Sequence, residues 1–247
     1  MMIWVKNMLI FMYSIFCYVI AITGQLWFIF YLSDWQLIEK SIHSPQEVNF
    51  FVALLINILL IIIFASQHSF MARNWFKKII TTFIHPASER CTYVLMSGLS
   101  LWLIIFLWQP INGTIWHIEN DIMSSFIFFL FIFGWAFSSL ATFNINHFEL
   151  FGLQQAYLNL VNKRPAQINF TEKLFYKFIR HPIQLGILIG IWATSNMTYG
   201  HFTISILLTL YIFLGLYFEE KDLVNTLGDA YKDYKQRVGL VIPKIWR

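Results

Sequence analysis

The residues able to do chemistry in this chain are few, and they cluster. Gln67 and His68 close one apolar run, and Glu89 and Arg90 open the next. Asn144, Asn146, His147 and Glu149 close another. Arg180 and His181 open a last long apolar stretch, and Glu219 and Glu220 close it. Ionisable groups inside or beside such runs are costly, so each is a candidate site. A layer of histidine, carboxylate and guanidinium suits a polar ligand or proton transfer. Metal binding fits poorly, because the seven histidines include no close pair at helical spacing. No Gly-x-Ser-x-Gly turn, Walker loop or dinucleotide glycine pattern is present. Arg73, Lys77, Lys78 and Lys173 read as residues whose charged ends reach for headgroups. His43, His85, His117 and His201 read as ordinary interfacial or loop residues.

These residues need apolar elements to hold them. Of 247 residues, 58% are hydrophobic and 12% charged, with 26 Phe, 11 Tyr and 10 Trp. Soluble proteins carry roughly 25% charge. The composition excludes a soluble enzyme, a disordered chain and a disulfide framework. Two cysteines, Cys17 and Cys91, make neither a framework nor a metal site. A membrane helix needs about 20 apolar residues, and four segments qualify: 6–31, 50–70, 91–109 and 122–143. The stretch 183–218 is interrupted by polar residues at 194–201 and reads as a hairpin of two shorter spans. The expected fold is therefore an all-α bundle of about six spans in one domain, 1–247. From Glu219 onward, Leu223, Leu227, Tyr231, Tyr234 and Val238 recur at helical spacing and predict an amphipathic tail helix.

Charge then orients the bundle. On this span count, 16 of the 17 Lys and Arg fall on one side, and only Lys40 falls on the other, beside Asp34, Glu39, Glu47, Glu119 and Asp121. The positive side is expected to be cytoplasmic, with both termini there. A hairpin that only dips into the membrane leaves the tail on the same side. Each polar cluster also falls at this boundary, which predicts a cavity facing the cytosol.

The most specific signal is a pair of motifs. Arg180-His181-Pro182-Ile183-Gln184-Leu185-Gly186 begins the hairpin, with Pro182 suited to a first helical position and Gly186 and Gly190 spaced for close helix packing. Glu219-Glu220, Leu223, Leu227-Gly228, Tyr231 and Tyr234 follow it. Together they resemble the isoprenylcysteine carboxyl methyltransferase-like superfamily, in which Tyr often stands at the place of Gln184. Upstream, 67–73, 89–95 and Asn146-His147-Phe148-Glu149-Leu150-Phe151-Gly152-Leu153 resemble the bacterial methanethiol S-methyltransferases. The likeness spans 67–243, with the donor-binding part at 180–243.

That resemblance implies S-adenosylmethionine as methyl donor, methanethiol as substrate, dimethyl sulfide as product and a bacterial cytoplasmic membrane as location. It implies neither nucleic acid nor metal. Arg180, His181, Gly186, Glu219, Glu220, Tyr231 and Tyr234 are the expected donor site. Carboxylates there suit cationic or hydroxyl groups, Arg180 a carboxylate, and the tyrosines adenine or a cation. Methylating a thiol needs help in losing its proton. His68 and His147 are candidate bases, Arg90 an electrostatic partner and Glu149 a carboxylate to orient a histidine, while Tyr93 is an alternative proton acceptor. Another thiol, a prenylcysteine carboxylate, or a non-catalytic role akin to the NnrU-like proteins are the competing readings.

Overall fold

A computed structural model describes residues 2–33, 35, 40–163 and 172–244. Asp34, Glu39, Arg164 and Arg247, counted in the charge split, lie outside them. Among the described residues the regular structure is helical apart from one small two-stranded ribbon and an isolated bridge between Ile179 and Gly239. Five helices are long and apolar enough to cross a membrane: α1 (Met2–Leu32), α2 (Phe50–Met71), α4 (Glu89–Leu107), α5 (Asp121–Ile145) and α9 (Tyr199–Leu227). Shorter helices are α3 (Asn74–Ile80), α6 (His147–Leu150), α7 (Leu153–Leu160), α8 (Pro182–Trp192) and α10 (Asp229–Arg237).

Local chemistry explains the boundaries. Asn49, Asn120 and Thr198 cap α2, α5 and α9 by accepting from the backbone N–H groups of Phe51, Met123 and His201; such caps satisfy donors that the first helical turn leaves free. Pro182 opens α8, where its missing N–H is no loss.

The hairpin expected at 183–218 exists, but its arms are unequal. The first arm, α8, has 11 residues, about 16 Å of helix, against roughly 30 Å of hydrocarbon. Extended chain follows it. β2 (Asn196–Thr198) pairs antiparallel with β1 (Thr114–His117), with Thr114 opposite Thr198 and His117 opposite Asn196. The second arm, α9, runs 29 residues. Five long helices and one short one thus stand where four full spans and two shorter ones were expected. The expected tail helix is also divided. α9 continues to Leu227, Gly228 turns at φ 61°, and α10 follows. Its apolar side survives the break, with Tyr231, Tyr234 and Val238 buried against Leu223, Val224 and Leu227.

Core packing is concentrated away from the charged end. Tyr31, Leu32, Ile104, Trp108, Ile191 and Ile204 are fully buried in one cluster. Asn57 secures that end, accepting from Gln109 N at 2.9 Å and donating to Gln109 O at 2.7 Å. α5 and α8 meet along a glycine seam. A Cβ on Gly186 would sit 2.5 Å from Gly134 O and 2.6 Å from Ser138 N. Gly186, expected among the donor contacts, is therefore a packing residue, and both helices depend on its bareness.

Candidate functional site

The two C-terminal motifs meet as the sequence predicts. Residues 179–181 are extended and run parallel to 239–240. Arg180 N donates to Gly239 O at 2.9 Å, and His181 N to Leu240 O at 3.0 Å. Glu220 projects from α9 into this corner. Its Oε1 accepts from Arg180 Nε at 2.9 Å, His181 Nε2 at 2.8 Å and the Tyr231 hydroxyl at 2.8 Å. Lys235 Nζ lies 3.1 Å from Oε2. Arg180 Nη1 also donates to Lys235 O and Val238 O, at 3.0 and 2.6 Å. Arg180, His181 and Glu220 are all buried.

A buried charge needs this density of partners, because desolvation is otherwise prohibitive. The arrangement changes the roles read from sequence. Arg180, expected to meet a ligand carboxylate, meets Glu220 and the tail carbonyls. Tyr231 and Tyr234, expected to face a ligand, are buried against each other with ring centroids 5.6 Å apart. Tyr234 donates to Tyr176 O at 2.6 Å, and burial pushes its phenol up to about 12. Burial, followed by the hydrogen bond to Glu220, pushes Tyr231 up as well. These four residues form a structural hub.

Glu219 is different. It sits one residue earlier on α9, about 100° around the helix, and leaves 51% of its side chain exposed. His181 Nδ1 lies 3.9 Å from its Oε2. Its charge reaches Tyr176, Tyr93 and Tyr211, and with burial it helps push Tyr176 up. His68 of α2 lies within this group. Its Nε2 is 2.7 Å from the Tyr93 hydroxyl and its Nδ1 is 3.0 Å from Ser97 Oγ. Its ring stacks on Phe64 and meets Tyr211 edge-on. Arg90 lies over the Tyr93 ring, 4.9 Å from its centroid, with Nε donating to Leu150 O at 2.7 Å. An Arg73–Asp222 pair at 2.7 Å ties the end of α2 to α9 beside them. Among the described residues, no group of three or more His, Cys, Asp or Glu side chains could hold a metal ion.

His147 belongs to a separate cluster. Its Nδ1 is 2.7 Å from Thr142 Oγ1 and its Nε2 is 2.9 Å from the Tyr18 hydroxyl. Phe143 stacks on the ring at 4.2 Å and Phe151 packs at 4.6 Å. Burial pushes this imidazole down. Glu149 does not orient it. Asn146 caps α6 by accepting from Glu149 N, and its amide donates to Glu149 Oε2 at 3.1 Å and also to Gln154 Oε1. The loop then docks on α4. At Gly152 (φ 86°) a Cβ would fall 2.5 Å from Cys91 N, so the Asn146–Gly152 motif is a docking device.

Tyr93, Ser97, Tyr211 and Lys235 complete these clusters. Tyr93 and Ser97 lie four residues apart, on one helix face, which was the available signal. Tyr211 sits in an uninterrupted apolar run and gave none.

Passes of apolar helix with polar side chains gathered at one end define a polytopic membrane protein with an embedded polar site. Comparison with known proteins narrows the class. The chain is 43% identical to a methanethiol S-methyltransferase of a Pseudomonas species, over 94% of this chain and 89% of the relative. It is 40% identical to methanethiol S-methyltransferase 1 of Bradyrhizobium diazoefficiens, over 96% and 82%. Nurim of Bos taurus is a more distant relative, 26% identical over 72% and 71%. No protein-family model matches the chain, and no solved structure does. The chain belongs to the methanethiol S-methyltransferase family.

Proposed function

We propose that this protein transfers a methyl group from S-adenosylmethionine to methanethiol, forming dimethyl sulfide, on the face of α9 that carries Glu219. The observation that carries the reading is the circumstance of that carboxylate. It is half-exposed, its nearest ion-pair partner is His181 at 3.9 Å, and its charge is felt at Tyr93, Tyr176 and Tyr211. A carboxylate among aromatic faces suits the ammonium and sulfonium of such a donor. Bound there, S-adenosylmethionine supplies an electrophilic methyl group on a sulfonium sulfur. Glu219 pairs with the donor's cationic groups. The Glu220 hub holds His181 and α9 in register, so that Glu219 stays aimed. Displacement would then depend on the thiol aligning in line with the methyl carbon.

The bias of 16 of 17 basic residues to one side supports a cytoplasmic membrane location with both termini cytoplasmic. The cytosol is also where the donor would be met. The test is headspace gas chromatography on membranes containing the protein, supplied with methanethiol and S-adenosylmethionine. Dimethyl sulfide is the expected product. Glu219→Gln should weaken donor binding by about ten- to a hundred-fold, the scale of one charged hydrogen bond at roughly 1.5–3 kcal/mol. Unchanged calorimetric affinity in that variant would remove Glu219 from the site.

A further inference from the structure

We propose that Tyr93 is the residue that meets the thiol and passes its proton to His68. The proposal rests on the preceding reading and adds the proton's route. Its basis is the direction of the hydrogen bonds around His68. Ser97 Oγ lies 3.0 Å from Tyr93 O, one helical turn back, and donates its hydrogen there. Its oxygen is then an acceptor for His68 Nδ1, at 3.0 Å. That leaves the Nε2 lone pair to accept from the Tyr93 hydroxyl, at 2.7 Å. The basic nitrogen of His68 is thus covered by Tyr93. Phe64 and Tyr211 hold the ring on two sides. A substrate reaches this base through the phenol.

Two charges bear on the phenol. On its own helix, Arg90 sits over the ring at 4.9 Å, fixed by Leu150 O. A guanidinium there favours phenolate character on the oxygen and opposes a lasting positive charge on His68, so the proton is held on the imidazole only in passing. From α9, Glu219 and Tyr211 are the titratable groups whose charge reaches it. Tyr93 is thus hydrogen-bonded to His68 Nε2 and lies within reach of the charge of the carboxylate proposed to hold the donor.

The step balances. The thiol S–H bond breaks as the sulfur bonds to the methyl carbon. The carbon–sulfonium bond breaks, and its electron pair stays on the donor sulfur. The thiol proton moves to the Tyr93 oxygen while the phenolic proton moves to His68 Nε2. The imidazolium loses its extra proton to water after the products leave. Tyr93 is the catalytic residue, and His68 and Ser97 act through it.

The experiment compares wild type, Tyr93→Phe, His68→Gln, Ser97→Ala and the Tyr93→Phe/His68→Gln double variant, all as full chain. Dimethyl sulfide formation is followed against pH at saturating donor, donor affinity by calorimetry, and the His68 ring nitrogens by nitrogen-15 NMR. Tyr93→Phe and His68→Gln should each lower kcat by about 10²–10⁴-fold, the scale of general-base catalysis, with donor affinity unchanged. The double variant should be no worse than the lower single, because the pair acts as one unit. Rising pH should return part of the rate to Tyr93→Phe, since more thiol then ionises unaided. Tyr93→Phe should also shift the Nε2 resonance and leave Nδ1 protonated. Ser97→Ala should cost a few-fold. Should Tyr93→Phe fail to fold, His68→Gln carries the rate and pH comparison. A rate near wild type in either single variant overturns the relay, as does an Nε2 signal indifferent to Tyr93. Loss of donor affinity in step with rate overturns it too. A wild-type protein that makes no dimethyl sulfide overturns the preceding reading, and the relay with it.

Discussion

Glu219 and Glu220 share a helix turn and differ in almost everything else. Glu220 is buried, takes three hydrogen bonds on one oxygen and an ion pair on the other. Glu219 is half-exposed, with one distant contact to His181. The histidines divide the same way. His147 is enclosed by Tyr18, Thr142 and two phenylalanine rings. His68 makes the same kind of Tyr–His–hydroxyl chain, but in the group that Glu219's charge reaches. Residue type is the same within each pair. The carboxylates are separated by whether their oxygens are already answered within the fold; the histidines, both fully hydrogen-bonded, are separated by the cluster each belongs to.

The sharpest way to break this contrast is Glu220→Ala. Removing one partner of a buried ion pair leaves Arg180 uncompensated, a loss of about 3–5 kcal/mol. Thermal unfolding in detergent should show a large drop, whereas Glu219→Ala should leave the midpoint nearly unmoved. Equal shifts would erase the distinction. A smaller effect is expected at His147→Ala, which strands the Tyr18 hydroxyl and opens a gap between two rings. The expected cost is about 1–3 kcal/mol of stability, with kcat within a few-fold of wild type below the melting range. A turnover loss matching that of His68→Gln would merge the two clusters. The smallest effect is a pH dependence. Burial holds His147 below its ordinary value of about 6.5. As pH falls through that value the unfolded chain takes up a proton that the folded chain refuses. Its stabilisation is therefore complete above about 6.5 and declines below it, by no more than roughly 1.4 kcal/mol per pH unit. His147→Gln should flatten that slope in melts recorded between pH 7 and 5.

The sequence carried some of this plainly. Long apolar runs announced α1, α2, α4 and α5 to within a few residues, because a membrane helix has little else to be, whereas α9 continues nine residues past the expected end at 218. The charged motifs at 180–181 and 219–220 announced their meeting. Partner choice was less legible. Asn146-His147-Phe148-Glu149 looked like chemistry, yet Glu149 answers Asn146 and His147 answers Tyr18, a residue 129 positions away. Arg180 looked free for a ligand because its partner, Glu220, is 40 residues off. The break at Gly228 was hidden since the apolar spacing of 223–238 continues across it. In each case the sequence left open which atom satisfies which within the fold, and that is decided by helix rotation and docking over distances a linear pattern does not encode.

The parallel pairing of 179–181 with 239–240 has a consequence for synthesis. Helices α1, α2, α4, α5 and α9 can enter the membrane as they emerge, but Arg180, His181 and Glu220 have no complete set of partners until Tyr231, Lys235, Val238 and Leu240 have been made. The polar corner is the last part of the chain to assemble. A product released early, even a few residues short of Leu240, would present an inserted bundle with uncompensated charges at its mouth, a ready mark for quality-control proteases.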